Sequence, residues 1–400
     1  MNCVKCGANL PDGALFCLKC GAKQTPAIHS AGGQECSEKN QLMVRVPGVG
    51  LYFIANDERL CFYDENEKKA RALSRWNSTV KMCGLGYSGG KVYYWQECQD
   101  QRSTEYGMRL YELDPAGGET RVVWETAEES FATYRLNAGP QRARAILYHG
   151  AYYLLDHVDQ SIMQIELPSG EQDNLEMPDL REHMPLYDWI KPRGIVDIKR
   201  AEENFGVDYT GLNIVDGQVY VSLDGCELCT MRFPLFHPEQ VTYLPTDACD
   251  SIQDRATGGM LTSVGGRVFS CPGFSTNNTD LCIYEIKRDG NLIKMISGTA
   301  NAINLMNKGG LWWKLGNNVY IGQVALNLYE RKWHKISALL FDRKEHRNNV
   351  FGEVLDFFPI RASVYLLTTT ALYLVPPDWE SRVKTVNDLE QFEIARLKKL

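Results

Sequence analysis

The chain has 400 residues, of which 44% are hydrophobic, 23% charged and 10% aromatic, and this composition is typical of a folded globular protein. Its formal net charge of −7 disfavours nucleic acid as a partner, because phosphate backbones are bound by clustered Lys and Arg. The longest uncharged stretch covers residues 362–377 and ends in two prolines, so it is too short to span a membrane. We therefore predict neither a nucleic-acid partner nor a membrane partner.

The first residues, Met1-Asn2-Cys3, leave no room for the charged and apolar regions of a secretory signal. The chain contains 13 cysteines, an odd number whose spacing beyond the first four does not suggest a disulfide framework. We expect a cytoplasmic protein with mostly reduced cysteines.

Four of the cysteines form two CxxC pairs, Cys3 with Cys6 and Cys17 with Cys20. This spacing allows two tight turns to present four thiolates to one tetrahedral Zn²⁺. A glycine follows the second cysteine of each pair, where a positive φ lets the backbone fold around the sulfur atoms. The sequence therefore predicts one zinc ion bound by these four cysteines.

The first 23 residues carry the pattern CxxCGxxLPxGAxFCxxCG and resemble the short zinc ribbons found at the N-termini of bacterial proteins. A site with four protein ligands is closed to water and substrate, so we expect the zinc to be structural. A redox CxxC is the alternative, but two matched pairs without a surrounding βαβ pattern favour zinc. The ribbon offers few cations, so we expect it to contact protein; its lysines are Lys5, Lys19 and Lys23.

Residues 24–40 are rich in Gly, Ser, Pro and polar side chains, which predicts a flexible linker. Beyond the linker one unit recurs, consisting of a glycine turn, an aromatic strand, a short gap and a second strand. Further apolar stretches on either side of this pair predict four strands in each unit. The aromatic strand occurs seven times and places these residues at equivalent positions: Tyr52, Tyr93, Tyr152, Tyr220, Phe269, Tyr320 and Tyr365.

Short strands that repeat about every fifty residues predict an all-β fold, a β-propeller over residues 41–384. We predict seven blades, with six to eight possible. The repeats lack a WD dipeptide signature and resemble uncharacterised bacterial β-propellers with a GGxVYY…LY unit, some of which carry an N-terminal zinc ribbon. That resemblance implies no catalytic motif.

Two segments depart from the repeat. Residues 171–207 form a long insertion with prolines, charges and the aromatic residues Tyr187 and Trp189, and such insertions serve either as binding loops or as passive surface. Residues 385–400 combine an N-cap at Asn387 with acids first and lysines last, which predicts a C-terminal amphipathic helix docked on the propeller.

Two further motifs suggest chemistry at first sight. Residues 84–89 match GxGxxG but lead into a strand, whereas a dinucleotide-binding loop must open a helix, so we predict a blade turn. Cys226 and Cys229 form a third CxxC, but residues three apart on a strand point to opposite faces, which favours buried thiols over a metal site.

The remaining candidates also have structural explanations. Asp156, His157 and Asp159 could serve acid–base chemistry or form a salt link across a strand. The tryptophans Trp312, Trp313 and Trp333 could wall a ligand, but large aromatics in blades usually pack between sheets, so we predict core positions. Neither HExxH, GxSxG nor a P-loop occurs. We predict no catalytic and no cofactor-binding residue.

The leading hypothesis is a non-enzymatic interaction or scaffold protein, in which a structural zinc ribbon and a propeller surface bind a protein partner of unknown identity. The alternative is a small-ligand sensor or an enzyme of lyase or hydrolase type that uses the central channel, because propellers host such activities. Nucleic-acid binding through the ribbon ranks last because of the acidic charge.

Overall fold

The computed structural model divides the chain into two units, Met1–Glu35 and Cys36–Leu400. Within the second unit it describes the following residues: 42–56, 58–75, 80–99, 106–115, 117–126, 145–156, 161–175, 177–178, 208–224, 229–245, 260–264, 266–271, 281–287, 289–298, 312–315, 317–321, 324–335, 354–360, 363–383 and 386–400. The predicted ribbon and linker lie outside these residues.

The described part of the chain forms seven four-stranded sheets, numbered here in chain order. The strands of sheets 1 and 2 are β1 (Met43–Val46), β2 (Gly50–Ile54), β3 (Leu60–Asp64), β4 (Lys69–Ala72), β5 (Val80–Ser88), β6 (Lys91–Gln99), β7 (Tyr106–Leu113) and β8 (Thr120–Thr126). Those of sheets 3 and 4 are β9 (Ala145–Tyr148), β10 (Ala151–Asp156), β11 (Ser161–Glu166), β12 (Gln172–Leu175), β13 (Asp208–Val215), β14 (Gln218–Asp224), β15 (Cys229–Pro234) and β16 (Thr242–Pro245).

Sheets 5 to 7 follow the same plan. Their strands are β17 (Met260–Val264), β18 (Arg267–Cys271), β19 (Leu281–Ile286), β20 (Leu292–Gly298), β21 (Trp312–Leu315), β22 (Asn318–Ile321), β23 (Val324–Asn327), β24 (Lys332–Lys335), β25 (Val354–Ile360), β26 (Ser363–Thr368), β27 (Ala371–Val375) and β28 (Glu393–Arg396). Among the described residues the helical elements are short: α1 (Trp379–Arg382), α2 (Val386–Glu390) and the 3-10 turns Pro238–Gln240 and Leu397–Lys399.

Each sheet is an antiparallel meander of four successive strands, so chain order and spatial order coincide. The first strands face the centre: β13 contacts both β9 and β17, and β17 contacts β21. In the same way β25 of sheet 7 contacts β1 of sheet 1. Seven such sheets in a closed ring form a β-propeller, which confirms the predicted fold class.

The repeated aromatic residue occupies the same position in all seven sheets. Each equivalent residue lies on the second strand and pairs across both neighbouring strands; Tyr93, for example, pairs with Gly86 on β5 and with Glu112 on β7. The six whose side chains are described are all buried. These rings fill the space between adjacent sheets, as when Tyr152 meets Trp95 of sheet 2 edge-on with ring centroids 5.2 Å apart.

The GxGxxG motif at residues 84–89 leads into a blade turn and the next strand, but most of it is itself strand rather than turn. Residues 84–88 belong to β5, and the chain reverses at Gly89, with φ 56°, and Gly90, with φ 80°, before entering β6. Gly86 has a packing role instead: a Cβ there would lie 2.2 Å from the Tyr152 hydroxyl and 2.9 Å from Leu147 Cδ2. The absence of a side chain lets sheet 3 approach sheet 2 closely.

The ring closes without a shared strand, because sheet 1 consists of β1–β4 and sheet 7 of β25–β28. The carboxylate of Glu65 lies where sheets 1 and 7 meet, a contact we call the joint. Glu65 accepts hydrogen bonds from Arg45 Nε at 2.6 Å and Arg45 Nη2 at 2.7 Å, and from the Tyr365 hydroxyl of sheet 7 at 2.6 Å. An apolar cluster that includes Met43, Leu51 and Leu367 packs across the same joint. Apolar burial, this shared carboxylate and a hydrogen bond from Arg59 Nη2 to the Leu397 carbonyl at 3.2 Å therefore hold the first sheet to the last.

The predicted C-terminal helix over 385–400 is wrong. Only Val386–Glu390 is helical, and residues 393–396 form β28, the outer strand of sheet 7. Ala395 and Leu397 are buried in the cluster that joins sheets 7 and 1. Pairing with β27 and this burial outweigh the local helix signals, so the fourth strand of the last blade lies beyond the predicted propeller boundary.

We predict that Gly86→Ala lowers the free energy of unfolding by about 1–3 kcal/mol, because the new methyl group overpacks the interface of sheets 2 and 3. Tyr152→Phe removes the hydroxyl that a Cβ would meet, so the double variant should recover part of the loss. Gly117→Ala is the matched control, since its Cβ would meet nothing closer than 3.9 Å. Urea unfolding at pH 7 compares the unchanged protein, both single variants of the pair, the double variant and the control; equal values for the two glycine variants would contradict this account.

A second prediction concerns acid stability. Burial acts to raise the pKa of Glu65, but hydrogen bonds from Arg45 and Tyr365 outweigh it and hold that pKa below the ordinary 4.5. The joint therefore contributes its full stabilisation above about pH 4.5 and loses it as pH falls through the lower folded-state pKa. Urea midpoints between pH 7 and pH 3 should fall less steeply for Glu65→Gln than for the unchanged protein. Parallel curves would contradict an ionised joint.

Candidate functional site

The propeller has two faces that differ in the length of their connections. The connections from first to second strands have two or three residues, and those from fourth strands to the next sheet have seven to 32. In an antiparallel meander these two kinds of connection leave from opposite ends of the strands. We call the first end the turn face and the second the loop face. Long connections gathered at one end of a repeat scaffold are the usual place for binding surfaces.

The chain enters the propeller at the loop face. Leu42 precedes β1, and its carbonyl accepts a hydrogen bond from the amide of Ile54 at 2.8 Å. Its side chain packs against the clusters on both sides of sheet 1. The segment that connects to the N-terminal unit is therefore attached at a well-anchored point on this face.

The insertion predicted at 171–207 begins later than expected. Residues 172–175 form β12, the outer strand of sheet 3, so the connection to sheet 4 runs from residue 176 to 207. Tyr187 and Trp189 lie outside the described residues, and their role stays a prediction.

Ion pairs with buried carboxylates lie in the sheets near the turn face. Glu112 accepts from the Tyr93 hydroxyl at 3.0 Å and from Arg121 Nε and Nη2, each at 3.0 Å, while Arg121 also reaches the carbonyl of Pro168 in sheet 3. Burial acts to raise the pKa of Glu112, but these donors outweigh it and lower that pKa. The carboxylate is thus ionised at neutral pH and holds Arg121, whose contact with Pro168 joins sheets 2 and 3.

Glu285 of sheet 5 repeats this arrangement. It is 4% exposed and binds both Arg267, in a bidentate contact, and Lys287, whose Nζ lies 2.6 Å away. Burial acts to raise the pKa of Glu285, but Arg267 and Lys287 outweigh it, so the pKa lies below its ordinary value. A general acid at neutral pH needs a raised pKa; the pKa values of Glu65, Glu112 and Glu285 are all shifted the other way. These three carboxylates are structural.

The inner strands contribute two buried polar side chains, Asn213 on β13 and Asp356 on β25. Asp356 Oδ1 accepts from the amide of Phe357 at 2.7 Å, next to a β-bulge at the start of β25. Across the described ranges, no group of three or more His, Cys, Asp or Glu side chains could hold a metal ion. Use of the central channel by a ligand or substrate stays a prediction.

The other two candidate groups are described only in part. Asp156 ends β10, Cys229 begins β15, and their partners His157, Asp159 and Cys226 lie outside the described residues. The proposed acid–base group and the third CxxC therefore stay untested.

The tryptophan prediction is wrong for Trp333. Its side chain lies on β24, the outer strand of sheet 6, and is 36% exposed. Trp312 and Trp313 are on the inner strand β21, where their backbone alone is described. Sequence reasoning also missed Tyr329, which is 87% exposed in the turn before β24; the adjoining Glu-Arg-Lys run is the one signal that marked this turn as exposed.

Comparison with known proteins identifies the N-terminal unit: residues 2–24 match the zinc-ribbon domain family. The chain therefore carries a zinc-ribbon domain ahead of a β-propeller, which confirms both predicted parts. Membership of this family suggests zinc binding, and four thiolates in two CxxC pairs are a donor set that suits tetrahedral Zn²⁺. The individual ligands Cys3, Cys6, Cys17 and Cys20 lie outside the described residues and stay predictions.

Solved structures similar to the chain include two other proteins. The tricorn protease aligns with 84% of this chain at 13% identity and a TM-score of 0.41, and this chain spans 30% of that one. An oligogalacturonate lyase in complex with manganese aligns with 85% of this chain and 90% of its own, at 12% identity and a TM-score of 0.44. No curated protein matches the sequence. Among the described residues, no helix is long and apolar enough to cross a membrane.

We predict one zinc ion per chain, measured by elemental analysis of the purified protein. Cys17→Ala should abolish stoichiometric zinc binding, because three thiolates leave the tetrahedral site incomplete. Cys36→Ala is the matched control and should retain the metal. Since the ribbon and the propeller are separate units, zinc loss should leave the main thermal transition unchanged. Full zinc retention by Cys17→Ala would contradict the assigned ligands.

Proposed function

We propose that this protein is a non-enzymatic interaction protein in which the propeller and the zinc ribbon contact the same protein target. The observation that carries the proposal is the position of Leu42. The segment that leads to the ribbon joins the propeller on the loop face, the same face that carries the long connections between sheets.

A tether at that position favours joint binding. Residues 24–40 have the composition of a flexible chain, whose root-mean-square reach is about 23 Å at roughly 5.5 Å times the square root of residue number. Such a linker keeps the second contact at an effective concentration in the millimolar range once the first has formed. Two weak contacts then give one stable complex without a large interface for either.

The chemistry of the described residues supports binding over catalysis. Glu65, Glu112 and Glu285 are each held by Arg or Lys, with pKa values below their ordinary range, and general acid–base catalysis favours pKa values near the operating pH. A four-cysteine zinc site likewise has no open position for a substrate. Both features support a structural use of charge and metal.

We expect the unchanged protein, immobilised and exposed to native extract, to capture a partner that a Cys17→Ala/Cys20→Ala variant retains at least tenfold less. Quantitative mass spectrometry measures the ratio, and Cys36→Ala is the control that alters a cysteine outside the ribbon. Equal retention by all three proteins would restrict binding to the propeller and contradict the two-contact proposal. Capture by none, together with thermal stabilisation by a small metabolite, would favour a ligand sensor.

A further inference from the structure

The hairpin of β23 and β24 in sheet 6 exposes aromatic side chains, while its inner strand β23 is buried against the core. Tyr329 in its turn and Trp333 on β24 are 87% and 36% exposed. The residues beneath are fully buried: Ala325 and Leu326, which pair with His334 and Trp333, are both 0% exposed. The hairpin is therefore fixed to the core while its aromatic side chains face solvent.

The turn itself is locked by one side chain. Asn327 Oδ1 accepts from the amides of Tyr329 at 3.0 Å and Glu330 at 2.9 Å, and Asn327 Nδ2 donates to Asn318 Oδ1 at 3.1 Å. The amide of Arg331 also donates to the Asn327 carbonyl at 2.9 Å. A preorganised turn reduces the ordering cost of binding, so Tyr329 is suited to serve as an anchor.

The outer edge of β24 is the second feature. This strand is the last of its sheet and pairs with β23 alone among the described residues. Such an edge offers backbone N–H and C=O groups to an added extended strand. Lys332 on this edge has an 81% exposed side chain, and a charged edge residue discourages pairing with a second copy of the same strand.

The charge of the hairpin indicates which charge the added strand carries. Arg331 and Lys332 are exposed, although the chain as a whole has a net charge of −7. The acid in the turn, Glu330, lies 3.9 Å from Lys332 with both side chains largely in solvent, a pair that contributes little. The other acid near the strand, Glu380, is already engaged by His334 at 2.8 Å, so an acidic segment gains charge complementarity from Arg331 and Lys332.

We propose that the β23–β24 hairpin docks an extended, acidic segment of a partner protein, which adds to β24 as a strand and packs apolar side chains on Tyr329 and Trp333. The assignment rests on the proposed interaction function and names one of its contacts. It requires at least one apolar residue flanked by Asp or Glu in the bound segment.

The test uses random decapeptides displayed on phage and selected against the full-length protein. We expect enrichment of peptides that combine Asp or Glu with alternating apolar residues, and we expect a synthetic copy of the best peptide to bind the unchanged protein. Tyr329→Ser/Trp333→Thr should raise its dissociation constant at least tenfold. Val122→Thr, at an exposed apolar residue on the outer strand β8, is the matched control and should leave binding unchanged.

A charge exchange keeps the test independent of stability. Lys332→Glu should weaken binding of the acidic peptide and strengthen binding of a peptide in which Lys replaces the acids. Circular dichroism confirms that each variant is folded. Selection of no peptide, of peptides without acidic bias, or of peptides that bind the hairpin variants equally well would overturn the docking site. Those outcomes leave the ribbon-dependent capture of a partner unaffected, so the two proposals fail separately.

Discussion

Closure of the ring without a strand shared between its first and last sheets is the constraint on which this structure depends. Every sheet takes its four strands from one stretch of chain, and among the described strands no backbone ladder connects sheet 7 to sheet 1. Apolar packing around Met43 and Leu367 makes that connection, together with the hydrogen bonds from Tyr365 to Glu65 and from Arg59 to the Leu397 carbonyl. Residues 393–396 complete sheet 7 as its fourth strand. Here Ala395 and Leu397 add apolar surface to the cluster that joins sheets 7 and 1.

In the closed ring, the buried ion pairs and the exposed connections between sheets lie on different faces. Buried carboxylates near the turn face are each satisfied by an Arg or Lys, and they link strands or neighbouring sheets. The loop face receives the long connections and the attachment point at Leu42. Sheet 6 differs from both patterns, because its outer hairpin presents Tyr329 and Trp333 to solvent on a base that is fully buried. Rigid blades are what allow such side chains to remain exposed without collapsing onto the core.

The sequence predicts those parts of the fold in which a local pattern and tertiary packing agree. The seven aromatic positions could be aligned because alternation along the second strand and the glycine turn before it are both local signals. The fourth strands carry weaker patterns, since one edge faces solvent, and the last was mistaken for a helix on the basis of caps and charge order. Trp333 was assigned to the core by residue type, whereas its position on an outer strand decides its exposure. The spacing of the first four cysteines indicated the zinc ribbon, whose individual ligands stay predictions. No spacing brings Glu65 to Tyr365, 300 residues away in the chain.

The most direct test of ring closure is a double-mutant cycle on Glu65→Gln and Tyr365→Phe, measured by urea unfolding at pH 7. Contact between the first and last sheets predicts a coupling free energy of about 1–2 kcal/mol, because each residue loses a charge-assisted hydrogen bond when the other is replaced. Additive effects of the two substitutions would show that the residues do not interact and would contradict the Glu65–Tyr365 contact between the first and last sheets.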